Sequence, residues 1–204
     1  MNHNISPPDL KFITDQTHKN NTGFCRHYMF LYSLVLGMEA KSVAEFGSGF
    51  STQCIWTALK LTEGTLINFE QRDKSENASW FSEEMLNCQD EKWQFIQGDS
   101  LKTVPDFDHP PYDLVLHDGS HTGKVVTQDI NNILPYIKKG GVLLLHDTNH
   151  LSLGAEMMRG ISNSNIKNYK HEILTLPYGF GLTLIKILDT DNPEEVNLTW
   201  RKGL

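Results

Sequence analysis

The segment Ser42–Thr52, SVAEFGSGFST, limits what this chain of 204 residues can fold into more than any other stretch. Its first five residues are mostly apolar and predict a short buried β-strand. Gly47 and Gly49 then predict a tight turn, because glycine adopts backbone conformations that other residues avoid. A helical pattern begins at Ser51, and either Ser51 or Thr52 can cap its N-terminus. A strand, a glycine turn and a helix start together predict a site where the backbone closely approaches a ligand.

Strand-like and helix-like segments alternate along the rest of the chain. Strands are predicted at Thr65–Glu70, Trp93–Gln97, Asp113–Asp118 and Gly141–Asp147, with a closing hairpin at Glu172–Leu176 and Leu182–Leu188. Helices are predicted at Phe24–Met38, Ser75–Cys88, Thr122–Ile137 and Leu151–Ile161, a loop at Val104–Tyr112 and an irregular arm at Met1–Thr22. The fourth and fifth strands are apolar through their middles, as expected where helices cover both faces of a sheet. This alternation predicts an α/β fold with a mostly parallel sheet.

Length and composition favour a single domain that handles small molecules. The chain suffices for one well-packed domain, with an arm and helix at 1–41, a core at 42–188 and a tail at 189–204. A net charge of −7 argues against a nucleic-acid partner, which would require a basic surface. Three widely spaced cysteines predict neither a disulfide framework nor a zinc knuckle. Because neither a signal-peptide pattern nor a bilayer-spanning apolar stretch is present, we expect no membrane association and a cytoplasmic location.

The spacing acidic-x-Gly-x-Gly at Glu45–Gly49 resembles the first motif of class I S-adenosylmethionine (SAM)-dependent methyltransferases. A dinucleotide-binding fingerprint would need a third glycine at position 52, where this chain has threonine. The resemblance implies a Rossmann-like, seven-stranded, mostly parallel sheet with an antiparallel last strand and helices on both faces. It also implies SAM as the cofactor.

Two further strand ends extend the predicted cofactor site. Glu70 ends the second strand, 21 residues after Gly49, a spacing that suits hydrogen bonds from ribose hydroxyls. Asp99 and Ser100 follow the third strand, where the methyltransferase resemblance places a polar residue beside the adenine; Asp99 is equally suited to capping a helix. The predicted cofactor-binding set is Glu45, Gly47, Ser48, Gly49, Ser51, Thr52, Glu70, Gln71, Asp99, Ser100 and Asp118.

The fourth and fifth strands both end in His-Asp, in the segments YDLVLHDGSH (Tyr112–His121) and GGVLLLHDTNH (Gly140–His150). These segments resemble the metal-assisted small-molecule O-methyltransferases of the catechol and macrolide-sugar types. The resemblance implies that Asp118 and Asp147 bind a divalent metal, with Mg²⁺ as the expected ion and with Thr148 or His146 at the position of a third ligand. It further implies His121 as the base that acts with Asp118 in catalysis, and a small-molecule acceptor that carries hydroxyl groups.

Two other functions stay open at this point. Histidines at 117, 121, 146 and 150 also permit a ferrous oxygenase or a zinc hydrolase, since both metals favour imidazole. Strand alternation predicts that His117 and His146 face away from the aspartates that follow them, which weakens this hypothesis. A cofactor-binding partner subunit without turnover is the second alternative, and intact Asp118, His121 and Asp147 argue against it. A homo-oligomer is compatible with either function.

Overall fold

The computed structural model of the chain describes residues 7–18, 23–88 and 92–189. Its helices are α1 (Pro7–His18), α2 (Tyr28–Gly37), α3 (Phe50–Thr62), α4 (Glu83–Leu86), α5 (Ser100–Asp106), α6 (Gly123–Ile133) and α7 (Gly154–Asn163). Its strands are β1 (Ser42–Phe46), β2 (Thr65–Glu70), β3 (Trp93–Gln97), β4 (Tyr112–His117), β5 (Ile137–His146), β6 (Lys170–Leu176) and β7 (Leu182–Asp189). Short 3₁₀ turns lie at Gly23–His27, Ala78–Trp80, Leu134–Tyr136 and Asn165–Asn168.

The seven strands form one sheet in the order β3-β2-β1-β4-β5-β7-β6. Pairs among the first five strands are parallel, whereas β7 runs antiparallel to both β5 and β6. The apolar strands β4 and β5 lie near the centre, as predicted. The sequence-based prediction of a seven-stranded sheet with an antiparallel last strand is therefore confirmed.

Alternate residues of the central strands enter two apolar layers, one on each face of the sheet. Val43, Leu114 and Leu144 pack with buried residues of α2 and α3. Ala44 and Val115 pack on the opposite face with buried residues of α6 and α7. Helices therefore cover both faces of the sheet, as predicted. In the described ranges, no helix combines the length and apolar character needed to cross a bilayer.

The predicted helix Ser75–Cys88 is wrong over most of its length. The Asp73 carboxylate accepts hydrogen bonds from the Ser75 backbone and hydroxyl, which favours a turn over a helix. The backbone of Ser82 is extended, and its side chain caps the N-terminus of the one-turn helix α4. Phe81 is buried in this segment, whereas Trp80 is 39% exposed.

Two other segments also differ from their predictions. Residues 7–18 of the predicted irregular arm form α1, whose Ile13 is fully buried in the core; the rest of that arm lies outside the described residues. The predicted loop at Val104–Tyr112 is partly helical, because α5 continues through Pro105. The Asp99 side chain accepts a hydrogen bond from the Leu101 backbone, so its predicted capping role is confirmed.

A buried polar network connects the central strands to α3. Glu45 has no exposed surface and accepts hydrogen bonds from the Ser51 hydroxyl and, at 2.7 Å, from the Asn68 amide. The Asn68 carbonyl oxygen in turn accepts from the Trp93 indole at 2.7 Å. Burial raises the pKa of Glu45 to about 8, despite these donors.

We expect Glu45→Gln to flatten the dependence of stability on pH. Between the ordinary value of 4.5 and about 8, folded Glu45 holds a proton that the unfolded chain releases, so wild-type stability falls as pH rises. From pH 5 to pH 7 the wild type should lose about 1–3 kcal/mol more than the variant, measured by chemical denaturation. Parallel stability curves for the two proteins would contradict the assignment.

Candidate functional site

A cavity of about 540 Å³ opens at the carboxyl ends of β1 to β4. This is the edge of a parallel sheet at which ligands bind in open α/β folds. Six residues of the predicted cofactor set line the cavity: Gly47, Glu70, Gln71, Asp99, Ser100 and Asp118. The glycine turn and the three strand-end carboxylates thus lie around one space.

Gly47 must be glycine for two independent reasons. Its φ of +93° is strained for any residue with a side chain. A Cβ at this position would also lie 2.6 Å from the Asp118 carbonyl oxygen. The backbone just after β1 therefore passes directly against the residue that follows β4. Because Gly47 has no side chain, its backbone stays open to the cavity.

The other five predicted cofactor residues are not among those that line the cavity. Ser51 donates to buried Glu45, and the Thr52 hydroxyl accepts from the Gly49 N–H at 2.8 Å. The cap of α3 is therefore Gly49 rather than Ser51 or Thr52, which corrects the predicted cap. Ser48 donates a hydrogen bond to the Glu70 carboxylate at 2.8 Å. Ser48 thus contacts a residue that lines the cavity without lining the cavity itself.

Glu70 pairs with an arginine that sequence reasoning missed. Its carboxylate accepts from the Arg72 backbone N–H (2.9 Å), from Arg72 Nε (3.2 Å) and from Arg72 Nη2 (3.1 Å). Burial acts to raise the pKa of Glu70, but the Arg72 donors outweigh it and lower the pKa. Glu70 is therefore held as a charged acceptor at the cavity wall.

A second missed residue, Asp129 of α6, also lines the cavity. Its side chain accepts from the Ser100 hydroxyl at 2.8 Å and from His117 Nε2 at 3.0 Å. Asp129 is 1% exposed. One feature of the sequence could have indicated Asp129: it lies on the apolar stripe of a predicted helix. A carboxylate there would be costly without a partner, and so predicts one.

Asp118, His121 and Asp147 converge beside this cavity. One ligand atom of each side chain lies within 4.8 Å of the others, and His121 Nε2 is 2.7 Å from Asp147 Oδ2. The contact with Asp147 raises the pKa of His121 above its usual value, against the opposing effect of burial. For Asp147, burial favours a higher pKa, but His121 and His146 hold it well below its usual range.

The predicted orientation of His146 is wrong. Its Nδ1 lies 3.1 Å from Asp118 Oδ1 and 3.4 Å from Asp147 Oδ1, on the same side as both carboxylates. Asp147 has a φ of +58°, so strand alternation stops at the end of β5 and neighbouring side chains can converge. His117 does face away, as predicted, and contacts Asp129 instead.

Both ring nitrogens of His146 have partners, since Nε2 lies 3.1 Å from the Gly179 carbonyl oxygen. Burial opposes a charge on this ring, but the two carboxylates outweigh it and raise its pKa to about 10. Thr148, the other residue at the predicted third-ligand position, is buried and accepts a hydrogen bond from Thr183 at 2.9 Å. The structure thus places Thr148 against β7 and His146 as a cation between the carboxylates.

The site has the donors that a hard divalent cation prefers, namely carboxylate oxygens, and those of Asp118 and Asp147 lie within 4.8 Å of each other. Asp147 Oδ1 is buried, and among the described residues its contact is a long one, 3.4 Å from His146 Nδ1, without the geometry of a hydrogen bond. A bound cation would satisfy this buried oxygen better than that long contact does. The residues present therefore fit the predicted metal.

Comparisons with known proteins agree with this geometry. The sequence matches the family model described as a methyltransferase domain over residues 44–148, more than half of the chain. No curated protein matches the sequence significantly.

Several solved structures share the fold. The SAH-bound methyltransferase PaMTH1 of Podospora anserina is 16% identical, over 90% of this chain and 89% of that one, with a TM-score of 0.66. The O-methyltransferase TomG of Streptomyces achromogenes, in complex with SAM, is 15% identical over 89% and 90%, with a TM-score of 0.64. MycE of the mycinamycin biosynthetic pathway, in complex with Mg and SAH, is 16% identical over 91% and 56%, with a TM-score of 0.59.

The predicted resemblance is confirmed at the level of family and fold: the chain belongs to the methyltransferase-domain family and has the Rossmann-like fold of the class I methyltransferases.

Proposed function

We propose that this enzyme transfers the methyl group of SAM to a hydroxyl oxygen of a small molecule, with a divalent metal such as Mg²⁺ held by Asp118 and Asp147. One observation carries the proposal. The ligand atoms of Asp118, His121 and Asp147 converge within 4.8 Å at the rim of the cavity, and Asp118 belongs to both the cluster and the cavity wall. A cofactor in the cavity and an acceptor on the metal would therefore meet.

The cofactor part of the proposal rests on the cavity and its strand-end residues. Glu70 presents a charged carboxylate suited to the ribose hydroxyls, and Gly47 leaves the backbone open to the rest of the cofactor. The similar proteins PaMTH1, TomG and MycE were solved with SAM or with its demethylated product SAH. Those bound molecules support SAM as the cofactor of this chain.

Methyl transfer from a sulfonium is an in-line displacement, so the protein must align the acceptor oxygen with the methyl carbon and the sulfur. A divalent cation at Asp118 and Asp147 would supply positive charge that makes an acceptor hydroxyl more acidic. His121 lies beside these carboxylates and is the proposed acceptor of the hydroxyl proton. Once the charge of Asp147 is shared with a cation, the pKa of His121 would return toward neutrality, where imidazole is an effective base.

Neither alternative function gains support from the site. Of the four histidines that suggested an oxygenase or hydrolase, His117 contacts Asp129 and both nitrogens of His146 have partners. The family match favours methyl transfer over both of these reactions. A subunit without turnover would not need the convergence of Asp118, His121 and Asp147, which supports an active enzyme.

We expect Glu70→Gln to weaken SAH binding by about 1.5–3 kcal/mol, the scale for a hydrogen bond to a charged group. The amide keeps the shape of the side chain but replaces one acceptor oxygen with a donor. Isothermal titration calorimetry measures the change. Glu84→Gln, at an exposed side chain of α4, is a matched control that should bind SAH as the wild type does. Equal SAH affinities of Glu70→Gln and wild type would show that Glu70 does not bind the cofactor.

We expect Asp147→Asn to abolish binding of Mn²⁺, used as a spectroscopic substitute for Mg²⁺, while SAH affinity changes little. The reason is that Asp147 contributes to the metal cluster but does not line the cavity. Electron paramagnetic resonance measures the bound Mn²⁺. Asp113→Asn, at the other end of β4 and paired with Lys138, should keep full Mn²⁺ binding. Wild-type protein that binds no Mn²⁺, or that is fully active in excess chelator, would disprove the proposed role of a divalent metal at Asp118 and Asp147.

We expect His121→Ala to lower turnover by roughly 10²–10⁴-fold, the usual contribution of a general base. Release of SAH in the presence of a panel of small hydroxyl compounds is the readout, and SAH affinity should stay near that of the wild type. Wild-type turnover should rise with pH as His121 loses its proton, and this rise should vanish in the variant. His171→Ala, on the edge strand β6, is the control. Unchanged turnover in His121→Ala would show that another group accepts the proton.

A further inference from the structure

We infer that Arg72 competes with the cofactor for Glu70. Its guanidinium occupies the two acceptor positions that the two ribose hydroxyls of the cofactor need, and it leaves them when the cofactor binds. This inference rests on the proposed function, because it assumes that the cavity takes the nucleoside of SAM. It adds a residue that sets the affinity for the cofactor by holding the ribose acceptor, and not by contacting the ligand.

The hydrogen bonds that Glu70 accepts use its full capacity. A carboxylate has two oxygens with about two lone-pair positions each, so it can accept about four hydrogen bonds. Oε1 accepts from the Arg72 backbone N–H at 2.9 Å and from Arg72 Nε at 3.2 Å. Oε2 accepts from the Ser48 hydroxyl at 2.8 Å and from Arg72 Nη2 at 3.1 Å. A further donor can therefore bind Glu70 only if one of these donors leaves.

Two of the donors are held in place by the chain around them. The Arg72 N–H belongs to the backbone that follows β2, and the Ser48 hydroxyl accepts a hydrogen bond from the buried Asn77 side chain at 2.9 Å. The guanidinium, by contrast, ends a side chain that is 54% exposed, and its two contacts are the longest that Glu70 accepts. The guanidinium is therefore the pair of donors that a ligand can displace.

The guanidinium donates to Glu70 in the pattern that a ribose also offers. Nε binds one carboxylate oxygen and Nη2 binds the other, as in a two-point ion pair. The neighbouring 2′- and 3′-hydroxyls of a ribose are likewise two adjacent donors, one for each oxygen. When the guanidinium leaves, each oxygen keeps one fixed donor and regains one acceptor position. Arg72 and the ribose therefore exclude each other from Glu70.

The displaced guanidinium keeps part of its stabilisation, whereas Glu70 needs new donors. Water can solvate the Arg72 side chain, and the exposed carboxylate of Glu76 also attracts it. The pKa of Arg72 is raised, mainly by its hydrogen bond to Glu70 and in smaller part by the charge of Glu76. Glu70 is only 5% exposed, so the ribose hydroxyls must replace the donors that it loses. Displacing one half-exposed ion pair should lower the affinity for the cofactor by about 3- to 10-fold.

Isothermal titration calorimetry with SAH tests the inference on the full chain. Arg72→Ala should bind SAH about 3- to 10-fold more tightly than the wild type, because the ribose no longer displaces an ion pair. Arg72→Met, which keeps a long side chain without its charge, should show the same gain. Arg159→Ala, at an exposed arginine of α7 that pairs with Glu156, is the matched control and should bind SAH as the wild type does.

A double-mutant cycle shows whether the gain arises at Glu70. The amide of Glu70→Gln has no charge and only one acceptor oxygen, so it cannot form the two-point ion pair with the guanidinium. In the Glu70→Gln background, Arg72→Ala should therefore change the SAH affinity by less than about twofold. A change confined to the background with an intact Glu70 distinguishes competition from a general effect of removing a positive charge.

The outcomes separate this inference from a loss of folding and from failure of the proposed function. Thermal unfolding of each variant establishes that it is folded, and Arg72→Met provides an independent variant if Arg72→Ala does not fold. Arg72 variants that bind SAH as the wild type does, or more weakly, would overturn the inference. An equal gain in the wild-type and Glu70→Gln backgrounds would also overturn it. SAH binding by neither the wild type nor the Arg72 variants would overturn the proposed function instead.

Discussion

The parallel pairing of β4 with β5 is the constraint on which the site depends. Its register sets His117 opposite Leu145, so the residues that follow each strand, Asp118 and Asp147, emerge at the same edge of the sheet. The sheet holds the two backbones side by side, and the turn of the backbone at Asp147, with its φ of +58°, lets the side chains converge. The close contact of Gly47 with Asp118 then joins this edge to the glycine turn after β1. The cavity and the cluster of Asp118, His121 and Asp147 are therefore parts of one edge.

Acidic side chains are concentrated at this edge, and each is balanced in a different way. Glu45, with no exposed surface, has its charge disfavoured by burial, which raises its pKa. Glu70 is balanced by Arg72, and Asp129 by His117 and Ser100. Asp118 and Asp147 share His146, while Asp147 also contacts His121. Since an unpaired buried charge is costly, these partners allow acidic groups to gather where a cationic ligand would bind.

Errors in the sequence-based interpretation arose where regular geometry ends. Alternation along a strand predicted that His146 faces away from Asp147, but the positive φ of Asp147 ends that alternation. Asp129 was overlooked because its partner His117 is 12 residues away in sequence and meets it only across the packing of α6 on the sheet. Arg72 was overlooked because a short loop after a strand has no periodicity from which a side-chain contact could be predicted.

The sequence by itself determined the α/β class, the order of the strands in the chain, and the strand ends that carry Glu70, Asp118 and Asp147. These features are encoded locally, by apolar periodicity and by glycines at positions where a side chain would be strained. Only the tertiary structure decided which polar groups pair: Asp129 with His117, Arg72 with Glu70, and His146 between two carboxylates. Those pairings join separate elements or depend on loop geometry, and the burial that selects them exists only after the sheet and helices have packed.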